Sequence, residues 1–259
     1  MTQTYDKSYW WHTMTGKDKH IEHIAGILFD WDLTLAKPTG NISLSERLTM
    51  LFQRGGFPCT NEAVVKAIAA YRDRTAQEKN TAVPIVPQTQ REIIAYYRQL
   101  LAHIGYTDLS WERIAALYHD YAYLPTSLYD DVLPTLRKLQ KTGLALGIIS
   151  NHTPAARGIM QSYLGRFIQP GHIIISDEVG VHKPMSPVFI QAAAALNVLP
   201  QQCLFVGDNL HVDAIGAVHE GGYRLGLWLD RQHDAWDEPL PPGIIRITSL
   251  TQVLDFLED

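Results

Sequence analysis

The segment Ile27-Leu28-Phe29-Asp30-Trp31-Asp32-Leu33-Thr34 carries the clearest structural signal in this chain. A short apolar run ends in two carboxylates that lie two residues apart, a pattern typical of a buried strand that delivers its acids to the edge of a sheet. In open α/β sheets, ligands bind outside the carboxyl ends of the strands. The segment therefore predicts a buried parallel strand and a site that begins at Asp30 and Asp32.

Alone, the Asp-x-Asp-x-Thr pattern would be weak, because short acidic motifs occur by chance. Further polar motifs follow it along the chain, and each stands next to an apolar run or a helical pattern. These motifs are Ser150-Asn151, Lys183-Pro184 and Gly207-Asp208-Asn209, with Asp213 beyond the last. Their order and placement make the combined signal strong.

Continuous apolar runs, rather than alternating ones, indicate strands that are covered on both faces of a sheet. The predicted strands are 24–29, 144–149, 173–175, 203–206, 223–229 and 244–247. The predicted helices between them are 132–141, 154–163, 187–196 and 212–220. This alternation predicts an α/β fold with a doubly wound, mostly parallel sheet.

Residues 43–125 interrupt the alternation with helical segments and no convincing strand. Ser43 and Glu46 form a capping-box pattern at the start of a helix that ends near 55–56. Further helices are predicted over 62–77 and 88–103, with a turn at 81–87 and a fourth helix capped by Ser110. The predicted domains are an N-terminal extension (1–21), an α/β core (22–42 and 126–259) and a helical insertion (43–125).

Composition is that of a globular protein, with 46% hydrophobic and 19% charged residues. The formal net charge of -5 gives no electrostatic reason to expect nucleic acid or an anionic membrane as a partner. Cys59 and Cys203 form no C-x-x-C motif and are expected to be two buried thiols in a reducing compartment. The chain shows neither a signal-peptide pattern nor an apolar run of ~18 residues, so we expect a cytoplasmic protein.

The chemistry of the predicted site follows from the residues that gather at the strand ends. Two carboxylates ~4 Å apart repel by about 4 kcal/mol at an effective dielectric of 20, so such a cluster needs a cation. Oxygen ligands without a histidine or cysteine cluster favour Mg²⁺ over zinc. Lys183 and the Ser150 hydroxyl then suit an anionic phosphoryl group.

An aspartate in this setting can act as a covalent nucleophile and form an aspartyl-phosphate. A second carboxylic acid beside it can protonate the leaving oxygen and later take a proton from attacking water. The environments of Asp30 and Asp32 would divide these roles, because one is ionised at the metal and the other is free to carry a proton.

The motif set resembles that of the haloacid dehalogenase (HAD) superfamily, over about 22–42 and 126–259. The resemblance implies that Asp30 is the nucleophile and Asp32 the general acid/base. It also implies that Mg²⁺ is held by Asp30, by Asp208 and by the main-chain carbonyl of Asp32.

The same resemblance implies a phosphate-binding set of Thr34, Ser150, Asn151 and Lys183. Asp213 matches an outer acid that orients the lysine, although it could simply favour the start of the following helix. Ser150-Asn151 could likewise serve only as a helix cap.

In this family a helical insertion between the first two motifs is a C1 cap, and 43–125 fits that position. Similar proteins are phosphatases of small phosphorylated metabolites, and the acid at Asp32 argues against a dehalogenase. A sugar phosphomutase and, more remotely, a phospho-acceptor signalling module stay open as alternatives. The substrate is also open among phosphoglycolate, a sugar phosphate and a nucleoside monophosphate, and we expect a monomer or weak homodimer.

Residues that neighbour the motifs carry their own expectations. Leu33 stands where the family often has glycine, and we expect it to adopt an extended conformation with its side chain towards the cap. Trp31 is expected to line or support the pocket. His152, His182 and His211 show no acidic partner in the sequence and are expected to be solvated loop residues.

Overall fold

The computed structural model of the chain describes residues 24–79, 87–233 and 236–257. Its main element is a six-stranded sheet in the order β5-β4-β1-β6-β7-β8, and a two-stranded ribbon pairs β2 with β3. The strands are β1 (Gly26–Phe29), β2 (Ala36–Pro38), β3 (Thr126–Leu128), β4 (Ala145–Ser150), β5 (Ile173–Ile175), β6 (Cys203–Gly207), β7 (Leu225–Leu229) and β8 (Ile244–Ile247).

All neighbouring strands of the large sheet run parallel, which confirms the predicted α/β class. Strand β1 lies between β4 and β6, and Phe29 is in register with Ile148 on one side and Val206 on the other. The carboxyl ends of these central strands therefore meet at one edge of the sheet. That edge is where the sequence motifs place their polar residues.

The inserted helices form a separate unit with its own hydrophobic core, which includes Phe52, Ile94 and Leu117. The capping boxes at Ser43 and Thr89 are present, and Ser110 caps the fourth helix as predicted. The helices are α1 (Leu44–Arg54), α2 (Asn61–Lys79), α3 (Gln90–Ile104) and α4 (Trp111–Asp120). The predicted turn at 81–87, except for its last residue, and the N-terminal extension 1–21 lie outside the described residues.

The chain leaves the core through β2 and returns to it through β3. These two connecting strands pair with each other, Ala36 with Leu128 and Pro38 with Thr126. No sequence pattern predicts this ribbon, because its three-residue strands are too short to show a period.

The helices of the core cover both faces of the large sheet. Alternate residues of a strand point to opposite faces, so Phe29 joins one hydrophobic cluster and Leu28 the other. The elements are α5 (Val132–Leu139), α6 (Ala156–Leu164), α7 (Ser176–Val179), α8 (Ser186–Ala195), a π-helix (Leu210–Glu220) and a final 3₁₀-helix (Leu250–Phe256). Among the described helices, none combines the length and apolar character that crossing a membrane requires.

The element predicted as an ordinary helix over 212–220 differs from the expectation. It begins at Leu210 and is a π-helix, in which the N–H of Ala214 bonds to the carbonyl of Asn209 at 3.4 Å. The Asn209 side chain caps its start by accepting from the N–H groups of His211 and Val212. π-type turns are frequent at functional sites, and this helix begins two residues after Asp208.

The expectation of two buried thiols holds for one cysteine. Both cysteines are free, but Cys203 is buried in strand β6 whereas Cys59 is only half-buried in the insertion. Burial raises the pKa of the Cys203 thiol to about 12, so this group packs as an uncharged core residue.

Candidate active site

Three neighbouring strands deliver the central polar residues to one edge of the sheet. Asp30 follows β1 directly, Ser150 is the last residue of β4, and Asp208 follows β6. All three line one cavity, as do Asp32, Asn151, Lys183 and Asp213. The cavity is therefore lined by every sequence-predicted site residue except Thr34.

Lys183 lies between two carboxylates. Its Nζ donates to Asp30 Oδ1 at 2.6 Å and to Asp213 Oδ1 at 2.7 Å, and its side chain is only 2% exposed. Burial lowers the pKa of this lysine, but Asp213 and Asp30 outweigh that effect and hold the pKa above its usual value. Lys183 is therefore a fixed positive charge whose position is set by both acids.

The contacts of Asp213 are those of a residue that orients the lysine. Its Oδ1 accepts from Lys183, and its Oδ2 accepts from the N–H of Asn209 at 3.0 Å. A Cβ on Gly207 would lie 2.3 Å from Asp213 Oδ2, so only glycine at position 207 leaves room for this carboxylate. Asp213 is buried, and its ion pair with Lys183 is a contact that a role at the start of the following helix would not require.

The carboxylates carry more negative charge than Lys183 can balance. Oxygens of Asp30, Asp208 and Asp213 lie within 4.8 Å of one another. Burial raises the pKa of Asp30 to about 7 against the opposing effect of Lys183. Burial and the charge of Asp30 likewise raise the pKa of Asp208 well above its usual value.

This cluster fits a hard divalent cation, because such an ion would relieve the repulsion and is bound by carboxylate oxygens. Both oxygens of Asp213 already accept hydrogen bonds, one from Lys183 and one from the N–H of Asn209. Asp30 and Asp208 are therefore the side chains best placed to hold the ion.

Thr34 takes a different place from the one expected of a phosphate-binding residue. It is fully buried, its hydroxyl accepts from the N–H of Asp208 at 2.9 Å, and the hydroxyl lies 3.4 Å from Asp208 Oδ1. Trp228 adds a hydrogen bond from Nε1 to the carbonyl of Asp208 at 2.9 Å. These contacts fix Asp208 rather than meet a ligand.

Arg231 supports Thr34 from the far side and was missed by the sequence analysis. Its guanidinium donates to the carbonyl of Thr34 at 2.9 and 3.2 Å and to both carboxylate oxygens of Asp131 at 3.0 Å. Asp131 also accepts from the N–H of Leu250 at 2.8 Å. No motif or periodicity marks these residues, since they are distant in sequence from Thr34.

The expectation of a solvated loop residue is wrong for His152. This side chain is buried, and its Nε2 lies 3.6 Å from Asp32 Oδ2. Its Nδ1 accepts from the N–H of Thr153 at 2.8 Å, which assigns the proton of the neutral ring to Nε2. Burial lowers the pKa of His152, so the ring presents a neutral N–H towards Asp32. Neither His182 nor His211 lines this cavity.

The expectation of an extended conformation for Leu33 is also wrong. Its φ is 60°, in the left-handed region, and its side chain is exposed at the cavity. The cause is a tight turn, in which Leu33 N–H bonds to the carbonyl of Ala36 at 2.7 Å and Leu35 N–H to that of Trp31 at 3.0 Å. Trp31 itself is buried beneath the turn and packs near Tyr163, so it supports the site without lining the cavity.

Asn151 joins the end of β4 to the lysine segment and to the insertion. Its Oδ1 accepts from the N–H of Lys183 at 2.8 Å, and its Nδ2 donates to the carbonyl of Lys183 at 2.9 Å and to Gln88 Oε1 at 3.0 Å. The N-cap of helix α6 is Ala155, so Ser150 and Asn151 do not serve as its cap. Ser150 instead lines the cavity beside Asp30.

The cavity has a volume of about 340 Å³ and lies between the insertion and the core. Its floor is the acidic edge of the sheet, and its opposite wall is largely aromatic. That wall includes Leu44, Leu48, Tyr71, Arg72, Pro87, Gln88, Ile93, Tyr96, Tyr97, Tyr118 and Tyr121. A substrate in this cavity would contact the acids and the insertion together.

Comparison with known proteins gives a family match across most of the chain. The model of the haloacid dehalogenase-like hydrolase family matches residues 24–221. This range includes each of the polar motifs at the strand ends.

Curated relatives match over part of their length. A glyceraldehyde 3-phosphate phosphatase of Methanopyrus kandleri is 36% identical over 129 residues, which are 49% of this chain and 55% of that protein. An (S)-2-haloacid dehalogenase of Pseudomonas sp. strain YL is 31% identical over 53% of this chain and 58% of that protein. The chain thus spans little more than half the length of these relatives.

Solved structures match over nearly the whole chain at low identity. The HAD-hydrolase YfnB of Bacillus subtilis, in a crystal form bound to magnesium, superposes with a TM-score of 0.66 at 20% identity. The match covers 90% of this chain and 97% of that one. At this identity, the similarity concerns the fold.

Proposed function

We propose that this chain, which belongs to the haloacid dehalogenase-like hydrolase family, is a Mg²⁺-dependent phosphatase of a small phosphorylated metabolite. The observation that carries the proposal is that only one carboxylate oxygen of Asp30 is held by Lys183. Lys183 engages Oδ1 at 2.6 Å, which leaves Oδ2 free to attack within a cavity that also holds Asp32. A carboxylate fixed in this way is a suitable nucleophile.

In the first half-reaction, Asp30 Oδ2 attacks phosphorus and the bond from phosphorus to the ester oxygen breaks. The Asp32 carboxyl group gives its proton to the leaving oxygen, so the substrate departs as an alcohol. Lys183 and Ser150 stabilise the charge on the phosphoryl oxygens. The products are the alcohol and an aspartyl-phosphate on Asp30.

In the second half-reaction, water attacks the phosphorus of the aspartyl-phosphate. Asp32, now a carboxylate, takes the proton of that water, and the bond between phosphorus and Asp30 breaks. Inorganic phosphate leaves, and both aspartates return to their starting states. The side chain of Asp32 is 40% exposed, which gives it access to water and to the leaving group.

Asp30, Asp208 and the main-chain carbonyl of Asp32 would hold Mg²⁺, which when bound neutralises part of the phosphoryl charge. Thr34 keeps Asp208 in place through its hydroxyl. We take residues 43–125 to be the cap that closes over the substrate.

The match to a dehalogenase favours a second candidate reaction, displacement of a halide by the same Asp30. A halide departs as an anion and needs no proton, whereas an alkoxide does. Asp32, with His152 beside it, supplies a proton donor in the cavity. Only an oxygen leaving group would need that proton. This arrangement, together with the match to a phosphatase, favours phosphomonoester hydrolysis.

The test measures hydrolysis of p-nitrophenyl phosphate by the wild type with Mg²⁺ and with EDTA. The Asp30→Asn variant is measured with Mg²⁺. We expect EDTA to abolish turnover and Asp30→Asn to lower kcat by a factor of about 10³ or more. Asp73→Asn, an exposed change on helix α2, is the matched control and should keep wild-type activity. Release of chloride from 2-chloropropionate with no phosphate ester hydrolysed would instead support the dehalogenase reaction.

A further inference from the structure

The wall of the cavity opposite the acids is made largely of tyrosine rings. We propose that the substrate carries an aromatic ring on its leaving group, held against Tyr71, Tyr96 and Tyr121. This inference rests on the proposed function, since it concerns the alcohol that leaves the same site. It narrows the substrate from any small phosphate ester to an aromatic one.

The aromatic rings of this wall make contacts with one another in two groups. Tyr71 and Tyr96 pack edge to face with centroids 4.7 Å apart, and Tyr96 lies 6.0 Å from Tyr97. On the side nearer the acids, the ring of Tyr121 lies 6.1 Å from that of His152. An aromatic ring bound against these side chains would gain the edge-to-face or offset contacts that aromatic pairs favour.

The three rings come from three different helical segments, so the fold of the insertion brings them to one wall. Tyr71 lies on helix α2 and Tyr96 on helix α3, while Tyr121 follows helix α4. Burial raises the pKa of both Tyr96 and Tyr121 to about 12. Each ring therefore stays an uncharged phenol near neutral pH, which suits contact with an uncharged aromatic group.

The described part of this wall has few polar groups besides the tyrosine hydroxyls. Its one charged side chain is Arg72, and Gln88 adds an amide that already binds Asn151. A three-carbon hydroxyaldehyde could hydrogen-bond to the tyrosine hydroxyls, but it would leave the tyrosine rings without an apolar partner. An aromatic leaving group would supply that partner.

The size of the cavity agrees with this reading. Its volume of about 340 Å³ lies within the range of pockets that enclose a whole organic ligand. Such pockets are lined mainly by apolar and aromatic side chains, with a few polar groups that fix orientation. Here the acids and Lys183 lie at the phosphoryl end, and the aromatic rings lie at the leaving-group end.

The experiment compares benzyl phosphate with glyceraldehyde 3-phosphate by kcat/KM, in the presence of Mg²⁺. Both are esters of alkyl alcohols, so the chemical advantage of an aryl leaving group does not enter. We expect kcat/KM to be at least about tenfold higher for benzyl phosphate, through a lower KM. Equal or higher kcat/KM for glyceraldehyde 3-phosphate would overturn the inference and leave the proposed function standing.

A binding measurement tests the aromatic preference separately from the phosphatase activity. Calorimetric titration with benzylphosphonate and ethylphosphonate, which are not hydrolysed, should give a Kd about tenfold lower for benzylphosphonate. Absence of turnover with every ester would refute the proposed function, while the phosphonate pair still tests the aromatic site. Equal Kd values for the two phosphonates would overturn the inference whatever the turnover shows.

Substitutions of the wall tyrosines test whether these side chains cause the preference for an aromatic ester. Tyr96→Leu and Tyr71→Leu should each lower the ratio of kcat/KM for benzyl phosphate to that for glyceraldehyde 3-phosphate by several-fold, because each removes one aromatic contact. Tyr123→Leu is the matched control, since Tyr123 is exposed on the insertion and does not line the cavity. A ratio that is unchanged in both test variants, or that falls equally in the control, would contradict the assignment.

Discussion

His152 Nε2 lies 3.6 Å from Asp32 Oδ2, and the other ring nitrogen of His152 is occupied by the N–H of Thr153. The ring cannot turn its acceptor nitrogen towards Asp32 without losing that hydrogen bond. It therefore presents a fixed N–H to the carboxyl group that we propose as general acid/base. His152 is a positioning residue, because it acts on the reaction through Asp32.

Replacing His152 tests this relationship. We expect His152→Ala to lower kcat for p-nitrophenyl phosphate by roughly tenfold to a hundredfold with little change in KM, because Asp32 loses its orienting partner. His152→Gln, which keeps an N–H donor, should recover part of the loss. His211→Ala, at an exposed position outside the cavity, should behave like wild type. A rise in KM without a fall in kcat would refute the positioning role.

Substitution of Gly207 tests whether the position of Lys183 matters, because it removes no charged side chain. In Gly207→Ala, the new Cβ would meet Asp213 Oδ2 at 2.3 Å, so Asp213 must move and Lys183 with it. We expect a loss of about 1–3 kcal/mol in the free energy of unfolding and a clear fall in kcat. Gly158→Ala is the matched control, because its Cβ meets nothing within 4 Å and the residue lies inside helix α6.

That control should be neutral or stabilising by up to about 1 kcal/mol, as expected when alanine replaces a helical glycine. Chemical denaturation and steady-state kinetics measure both variants. Wild-type kcat in Gly207→Ala would show that the spacing between positions 207 and 213 does not matter for the reaction.

The acidic cluster predicts opposite effects of one substitution on stability and on metal binding. Asp208→Asn removes one of three clustered carboxylates that repel one another, so we expect the Tm of the metal-free protein to rise. The wild type should gain stability when Mg²⁺ is added, since a ligand that binds only the folded state stabilises it. The variant should lose that gain.

Thermal unfolding with EDTA and with a series of Mg²⁺ concentrations measures both effects. Asp73→Asn serves again as the control, with a wild-type response to Mg²⁺. A variant that keeps the full Mg²⁺-dependent shift would exclude Asp208 as a ligand.

The contacts of Asp131, which lies outside the acidic cluster, predict how its contribution to stability depends on pH. Burial alone would raise the pKa of Asp131, but hydrogen bonds from Arg231 and from the N–H of Leu250 outweigh it and hold the pKa below its usual value. A depressed pKa in the folded state means that the carboxylate stabilises the protein above its ordinary pKa. That contribution is lost as the pH falls through the folded-state pKa.

We therefore expect Asp131→Asn to lower the free energy of unfolding by roughly 1–2 kcal/mol at pH 7. The difference from wild type should shrink as the pH falls below the ordinary value of 3.8. Asp255→Asn, at an exposed position, should show neither effect. Urea denaturation at several pH values provides the measurement, and a difference that grows towards acid pH would contradict the sign of the effect.

The sequence was sufficient for the strands and for the acids at their ends. Continuous apolar runs identify β1, β4 and β6 because strands covered on both faces need apolar residues throughout. Once those strands are adjacent and parallel, Asp30, Ser150 and Asp208 must share one edge. The same logic required a cation beside the carboxylates, and the structure supplies a donor set that fits one.

Other features depended on contacts that no local pattern encodes. Leu33 takes a left-handed conformation because the turn from Trp31 to Ala36 demands it, against the ordinary preference of leucine. His152 meets Asp32, and Arg231 meets Thr34, only through tertiary folding. Such pairs are separated by more than a hundred residues, so neither periodicity nor motif spacing could reveal them.

The most direct test of the central claim is to trap the phosphoenzyme and locate its phosphoryl group. The protein is mixed with a turned-over phosphate ester and Mg²⁺, quenched in acid, reduced with borohydride and analysed by peptide mass spectrometry. Reduction converts an aspartyl-phosphate to homoserine, so we predict homoserine at position 30 in the wild type and none in Asp30→Asn. Homoserine at another aspartate, or phosphate release with no modified residue at any time after mixing, would contradict the assignment of Asp30 as the nucleophile.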